Sequence, residues 1–149
     1  MSTHQQLLYH VVFSTKHRKR TLANGFREEV FTYMAATCRE LAGYALIVGG
    51  YFNHVHLLVR IPTKTAVADF VRQLKANTSK HINQTKRIVT KFSWQEGYGA
   101  FTVSVSNKDL IYQYIENQMQ HHTRVTFENE YVGLLKEHQI DYDERYLWE

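Results

Sequence analysis

The sequence predicts an α+β fold of the ferredoxin-like or RRM-like type, in which helices pack on one face of an antiparallel sheet and a further, tyrosine-bearing helix follows toward the C-terminus. Three observations lead there: short runs of β-forming residues, longer segments with apolar residues at helical spacing, and the element order β-α-β-β-α-β-α-α. The 149 residues are 44% hydrophobic and include one proline. We therefore expect a single domain over 1–149, with residues 139–149 as a C-terminal tail.

Each element of the first half follows from a local pattern. Residues 7–13 are rich in β-forming side chains and predict the first strand. Over 26–42, apolar residues recur at helical spacing, which predicts an amphipathic helix ending before Gly43. The apolar runs 44–48 and 54–61 predict two further strands, and their short connection favours a hairpin.

The second half is predicted to add one strand and three helices. Pro62 ends the preceding strand, and the series Ser106 to Asp109 resembles a capping box that would begin a helix. Periodicity then predicts a helix over 67–82, a polar loop over 83–93, a strand over 100–105, and helices over 107–121 and 127–138. No apolar run approaches the roughly 20 residues that a membrane span requires.

Positive charge is concentrated in the first part of the chain. Of the 18 Lys and Arg residues, 14 lie within 1–91, whereas 10 of the 14 Asp and Glu residues lie within 92–149. Such segregation suits a polyanion such as nucleic acid, although a solvated basic surface is an equally good interpretation. The acidic part could shield or repel that partner. If the partner is DNA, the expected contacts are Lys16, Arg18, Lys19, Arg20, Arg72, Lys75 and Lys80.

A His-x-His pattern is the first candidate for chemistry. His54 and His56 lie in a predicted strand, where residues i and i+2 point to the same face, about 6.6 Å apart. Two imidazoles could then converge on one metal ion. The alternative is a pair of half-exposed histidines on a sheet. Against it, Val55, Leu57 and Val59 already supply the apolar face.

A tyrosine and a glutamine form the second candidate. Tyr114 and Gln118 stand at i and i+4 of a predicted helix and share one face. Taken alone, an ordinary core tyrosine is the better interpretation, and Tyr112 points elsewhere as a weaker nucleophile candidate. The pair His121-His122 ends the same helix; it could supply ligands, but cations near a helix C-terminus are the favoured interpretation.

Taken together, these features resemble the single-tyrosine HUH transposases of bacterial insertion sequences of the two-hundred/six-hundred-five type. The resemblance covers nearly the whole chain. Its segments are YHVVFSTKHRKR, GGYFNHVHLLVRIP, VRQLKANTSKHIN, WQEGYGAFTVSVS and YIENQMQHH. Several ordered matches are far more specific than His-x-His alone.

The resemblance implies a site and a reaction. His54, His56 and Gln118 would bind Mg²⁺ or Mn²⁺, and Tyr114 would attack DNA to give a covalent 5′-phosphotyrosine and a free 3′-hydroxyl. The implied partners are single-stranded DNA with hairpins at the element ends and a second copy of the chain. The implied location is the bacterial cytoplasm, with no membrane. One departure is Asn53, where many relatives have an acid; it accepts a hydrogen bond but adds no negative charge.

Two other functions remain open from the residues. A domesticated relative could bind nucleic-acid hairpins as a regulator without catalysis, and a related HUH nickase would share the chemistry. The short chain and the late tyrosine favour the transposase. The general base for the tyrosine, and the docking of its helix in cis or in trans, are also open.

Overall fold

The computed structural model describes residues 1–148, and within them four strands form one antiparallel sheet. The strands are β1 (Leu8–Ser14), β2 (Tyr44–Tyr51), β3 (His54–Arg60) and β4 (Gly99–Val103). They are arranged in the order β2-β3-β1-β4. The helices are α1 (Phe26–Glu40), α2 (Val67–Thr85), α3 (Lys108–Glu116), α4 (Gln118–His121) and α5 (Phe127–Glu137). This arrangement confirms the predicted α+β class.

Helices α1 and α2 pack on one face of the sheet and build the larger core. Alternate residues of β1 and β3 point to this face, since successive side chains of a strand point to opposite sides. The buried set contains Val11, Phe13, Val55, Leu57, Val59, Val30, Met34, Phe70 and Leu74. Each large apolar side chain buried in this way contributes about 1.5–3 kcal/mol. The face that Val55, Leu57 and Val59 were predicted to supply is thus filled.

Helices α3 to α5 cover the opposite face. Here Leu8 and Leu58 pack against Ile115 of α3, while Val12 packs against Phe127 of α5. The residues after α5 also contact this layer through Tyr142, Leu147 and Trp148. The C-terminal helices therefore lie over the strand face that carries His54 and His56. No helix in the described part of the chain has both the length and the apolar character to cross a bilayer.

Two local predictions for the C-terminal helices are wrong. The helix expected over 107–121 is interrupted at Asn117, whose φ of −95° and ψ of 19° separate α3 from α4. Asparagine is a poor helix former because its side chain competes for backbone hydrogen bonds. The capping box is absent as well: a 3₁₀ turn occupies Val105–Asn107, and the Ser106 hydroxyl lies 2.9 Å from that of Ser104.

Two elements extend further than their patterns predicted. Strand β2 continues through Gly49 and Gly50 to Tyr51, because both glycines remain paired with β3 opposite His56 and Val55. Helix α2 extends into the predicted polar loop and ends at Thr85. The longer β2 supplies the surface on which α3 rests.

Gly49 permits the close contact between β2 and α3. A Cβ atom at this position would lie 2.6 Å from the Ile115 carbonyl oxygen and 2.8 Å from its Cγ2 atom. Such separations are too short for any side chain, so α3 can approach the sheet only because residue 49 lacks one. Ile115 directly follows Tyr114, and the placement of Tyr114 therefore depends on Gly49.

We predict that Gly49→Ala destabilises the protein, because α3 must move away from the sheet to relieve the overlap. Overpacking of this kind lowers the free energy of unfolding by about 1–3 kcal/mol, which urea denaturation measures. Gly97→Ala is the matched control, since a Cβ atom at Gly97 meets nothing within 4 Å. Equal stabilities of the two variants would contradict the role given to Gly49.

Candidate active site

Strand β3 places two histidines on the face covered by the C-terminal helices. His54 and His56 are both fully buried, and their ring centroids lie 5.0 Å apart. Val55 and Leu57 point to the other face and into the α1–α2 core. The period of two along β3 thus brings the imidazoles together as the spacing predicted.

Tyr114 and Gln118, which were predicted to share one helix, both reach the histidine pair of β3 within a single chain. Gln118 begins α4, and its Oε1 atom lies 3.0 Å from Nε2 of His54. The ring of Tyr114, in α3, lies 5.7 Å from the ring of His56 at an interplanar angle of 84°. The structure therefore assembles His54, His56, Tyr114 and Gln118 into one cluster.

The centre of this cluster is a residue that the sequence patterns did not single out, Glu130 of α5. Its Oε1 atom lies 3.1 Å from Nε2 of His56 and 3.3 Å from Nε2 of His54. Its Oε2 atom accepts hydrogen bonds from the Tyr114 hydroxyl and from Nε2 of Gln118. The Glu130 side chain is 1% exposed, so the carboxylate depends on these neighbours rather than on water.

His122 also joins the cluster, contrary to the interpretation of His121-His122 as helix-terminal cations. Its Nε2 atom lies 2.9 Å from Oε1 of Gln118 and 3.1 Å from Oε1 of Glu130. Its Nδ1 atom lies 2.6 Å from the Val125 carbonyl oxygen, which holds the ring in place. His121 lies at the margin, with its side chain 29% exposed.

A sequence signal for Glu130 does exist. Phe127, Tyr131 and Leu134 form the apolar stripe of α5, and Glu130 falls on that same stripe. An acid among inward-facing residues of an amphipathic helix must find a buried partner, because an unpaired buried charge is unfavourable. The partners lie on other elements, so the stripe alone could not identify them.

Burial and charge set the protonation states of the cluster. Burial by itself would raise the pKa of Glu130, but its electrostatic interaction with His56 and its close contacts with His122, His54 and His56 hold the pKa well below its usual range. Burial lowers the pKa of His54 to about 4. At neutral pH, Glu130 is therefore ionised and His54 is neutral, which are the forms that bind metal ions.

Tyr114 keeps its proton at neutral pH. Burial raises the pKa of its hydroxyl, and the negative charge of Glu130 raises it further. The proton is nonetheless directed at a strong acceptor, because the hydroxyl donates to Oε2 of Glu130. The phenol and the histidine cluster are thus joined through a single carboxylate.

The cluster fits a divalent metal ion by its donor atoms. His54, His56, His122 and Glu130 each offer one ligand atom, and these four atoms all lie within 4.8 Å of one another. The Oε1 atom of Gln118 adjoins two of these imidazoles. A mixture of imidazole nitrogen and carboxyl oxygen suits Mn²⁺ better than Mg²⁺, which prefers oxygen alone.

Asn53 supplies the hydrogen bond expected of an acid at that position. Its Oδ1 atom lies 2.8 Å from Nδ1 of His54, so that Nδ1 donates and Nε2 faces the cluster. The bond fixes the orientation of the ring without adding a negative charge. The amide therefore meets the geometric part of the requirement for a neighbouring carboxylate.

The basic residues of α2 lie on the other side of the sheet. Arg72, Lys75 and Lys80 line a groove of about 570 Å³ together with Trp94 and Tyr98. The ammonium group of Lys75 is already engaged: it donates to the carbonyl oxygens of residues 95, 96 and 97 at 2.6, 3.0 and 2.9 Å. Arg72 has its side chain 69% exposed and lies 3.7 Å from Asp69.

The N-terminal basic residues lie nearer the cluster. Arg20 lines a cleft of about 310 Å³ that also contains Asn53, His122 and Arg124. Lys16 and Lys19 are exposed. Arg18 is ion-paired with Glu128 at 2.9 Å and stacks on the ring of Trp148 at 4.7 Å. Of the four, Arg20 is the one that borders the cluster.

A larger cleft borders the cluster on the side of Tyr114. Its volume is about 1110 Å³, and it runs between α3 and α5. His10, Tyr114, His121 and Glu130 are among the residues that line it. The cleft provides a route by which a large substrate could reach the Tyr114 hydroxyl.

Proteins of known family resemble this chain over most of its length. Residues 3–118 match the family described as "Transposase IS200 like". The transposase for insertion sequence element IS200 of Salmonella typhimurium is 28% identical over 117 residues, covering 75% of this chain and 76% of that protein. The ISDra2 transposase TnpA of Deinococcus radiodurans is 26% identical over 122 residues, covering 76% of this chain and 84% of that protein.

Two solved structures share the fold. A candidate transposase from Deinococcus radiodurans R1 superposes with a TM-score of 0.61 at 23% identity, over 79% of this chain and 98% of that one. A REP-associated tyrosine transposase bound to a REP hairpin gives a TM-score of 0.61 at 12% identity, over 84% of this chain and 76% of that one.

Sheet topology and sequence similarity together define a transposase. More particularly, the chain belongs to the family of IS200-like transposases, because the family match spans residues 3–118. The resemblance drawn from the sequence segments is therefore confirmed.

We predict that the metal-free protein loses stability as the pH falls from about 6.5 to about 4. The unfolded chain binds a proton at His54 near its ordinary pKa of 6.5, whereas the folded chain resists it until about 4. Stability from this group is thus complete above that window and lost below it, by roughly 3 kcal/mol. The depressed pKa of Glu130 acts in the same direction at lower pH.

Urea unfolding in the presence of a chelator, repeated across this pH range, measures the effect. His54→Gln removes the titrating ring and should flatten the upper part of the profile. A wild-type free energy of unfolding that stays constant through the window would contradict the assignment of a neutral, buried His54.

Proposed function

We propose that this protein is a transposase that cleaves and rejoins single-stranded DNA at the ends of an insertion sequence, through a covalent bond to Tyr114. The observation that carries the proposal is the convergence at Glu130. Its two carboxylate oxygens join the hydroxyl of Tyr114 to the imidazoles of His54 and His56. A nucleophile and a metal-binding cluster in contact are what metal-assisted phosphoryl transfer requires.

The metal ion in this proposal is Mg²⁺ or Mn²⁺. His54, His56 and Gln118 are the ligands that the resemblance implies, and the same pocket adds His122 and Glu130 as further donors. When bound, the ion would polarise the scissile phosphate and stabilise the charge that develops on it. The protein already holds the donor atoms in a buried pocket, so binding of the ion would require little further ordering of their side chains.

The reaction at Tyr114 is a phosphoryl transfer with balanced bonds and protons. The phenolic oxygen forms a bond to phosphorus while the bond from phosphorus to the 3′ oxygen breaks. Oε2 of Glu130 orients the hydroxyl, the phenol releases its proton to water in the cleft that Tyr114 lines, and the leaving 3′ oxygen takes up a proton from water. The 5′-phosphotyrosine ester retains the reactive bond, so rejoining reverses the step without ATP.

The basic surfaces support binding of the DNA partner. The groove along α2 combines Arg72, Lys75 and Lys80 with the rings of Trp94 and Tyr98, and aromatic rings interleaved with cations suit nucleic acid. Lys16, Arg18, Lys19 and Arg20 form the second basic segment. One of the structural relatives is bound to a REP hairpin, which favours hairpin DNA as the partner here.

A second copy of the chain is the other proposed partner. Within residues 1–148, β2 and β4 each have one unpaired edge, since they end the order β2-β3-β1-β4. An unpaired edge presents backbone donors and acceptors to another strand. Two copies could therefore join their sheets, in agreement with the homodimer that the resemblance implies.

We predict that Tyr114→Phe abolishes formation of the covalent adduct and leaves hairpin binding unchanged, because only the nucleophilic oxygen is removed. The assay incubates the protein with labelled single-stranded hairpin DNA and Mn²⁺ and looks for a protein–DNA band that resists SDS. Tyr112→Phe removes the same atom from an exposed neighbour on α3 and should retain the adduct.

An adduct that persists in Tyr114→Phe would refute the nucleophile. Absence of any adduct in the wild type, with hairpin binding intact, would instead favour the non-catalytic regulator.

We predict that a chelator stops cleavage and that added Mn²⁺ restores it. Loss of the ion removes several kcal/mol of transition-state stabilisation, so the cleavage rate should fall by roughly a hundredfold or more. Gel-shift measurements under the same conditions should show unchanged hairpin binding, since the α2 groove lies across the sheet from the cluster. Cleavage that survives complete removal of divalent ions would exclude the metal-assisted mechanism.

A further inference from the structure

We propose that His10 is a positioning residue that holds the ring of His56 in the tautomer able to bind a metal ion. The inference rests on the metal site of the proposed function. It concerns a buried polar residue of β1 to which no sequence pattern or comparison assigns a role.

The pleat of the sheet brings the two rings together. His10 pairs with Leu58 across the β1–β3 ladder and His56 pairs with Val12, so the histidines are diagonal neighbours on one face. Nε2 of His10 lies 2.8 Å from Nδ1 of His56. The two rings are stacked, with centroids 5.0 Å apart and 24° between their planes.

In the described part of the chain, the surroundings of His10 offer its ring nitrogens no second hydrogen-bonding partner. The residue is 1% exposed, and its neighbours include the ring of Phe101 at 6.0 Å. Within the described residues, its side chain has one hydrogen-bonding partner, His56. A buried imidazole costs more than an apolar residue unless it is hydrogen-bonded, so the bond to His56 is the reason an imidazole is tolerated there.

One proton between the two nitrogens decides what His56 can do. When Nδ1 of His56 carries that proton, it donates to His10 and leaves the lone pair of Nε2 facing Glu130 and the other donor atoms. When Nε2 of His10 carries it, the proton of His56 lies on Nε2, 3.1 Å from Oε1 of Glu130, and blocks metal binding there. His10 can serve in both states because a neutral imidazole both donates and accepts.

The second state suits the metal-free protein, and the first suits the metal-bound one. When an ion binds, Nε2 of His56 would release its proton, the shared proton would pass from Nε2 of His10 to Nδ1 of His56, and Nδ1 of His10 would take up a proton. Both rings stay neutral, and the hydrogen bond between them keeps His56 oriented throughout. The His10 ring lines the cleft beside Tyr114, which provides a path to solvent for the proton exchange this requires. Asn53 performs the corresponding task at Nδ1 of His54.

The test compares Mn²⁺ affinity in three variants by calorimetric titration of the chelator-treated protein. His10→Phe keeps a ring in the pocket but removes the partner of His56, and the affinity should fall 10- to 100-fold. His10→Gln retains both an acceptor and a donor and should recover most of the loss. His81→Phe is the control, because His81 stacks on Tyr33 between α1 and α2, away from the cluster.

Thermal unfolding of each metal-free variant separates positioning from general stability. Unchanged Mn²⁺ affinity in His10→Phe would overturn the proposal, as would an equal loss in His10→Gln. If His10→Phe does not fold, long-range proton–nitrogen NMR of the wild type with Mg²⁺ decides, because the proposal requires the His56 proton on Nδ1. A wild type that binds neither ion would refute the metal site itself, a result distinct from failure of the positioning role.

Discussion

The buried carboxylate of Glu130 is the constraint on which the arrangement of the C-terminal half depends. An ionised carboxylate taken out of water loses several kcal/mol of solvation unless donors replace the water. Here the replacement comes from three different elements: β3 through His56, α3 through Tyr114, and α4 through Gln118. The same contacts that stabilise the charge bring the proposed nucleophile and the proposed metal ligands to one point.

One face of the sheet is apolar core and the other carries the polar cluster, because side chains alternate between the two faces along each strand. Val55 and Leu57 belong to the apolar core beneath α1 and α2, while His54 and His56 face α3 to α5. Stability from the larger core is thus largely independent of the polar cluster. The cluster can contain groups that disfavour folding on their own, such as a neutral buried histidine, because the apolar face supplies the compensating free energy.

Close approach is the second physical requirement of the site. Helix α3 contacts β2 at Gly49, where any side chain would overlap the backbone of Ile115. Position 49 is also paired with His56 across the β2–β3 ladder. The absence of a side chain at Gly49 thus sets the distance between α3, which carries Tyr114, and β3, which carries His54 and His56. The helix propensity of the α3 residues and the residue pattern of β2 do not specify this distance.

The sequence was sufficient to predict the alternation of strands and helices, the shared face of His54 and His56, and the spacing of Tyr114 and Gln118. These features depend on periods of 2 and 3.6 residues, which are local properties of a chain. That Glu130, His122 and His10 join them follows from tertiary packing and not from any local pattern. Those three lie on α5, after α4 and on β1, and their roles arise from which elements pack together.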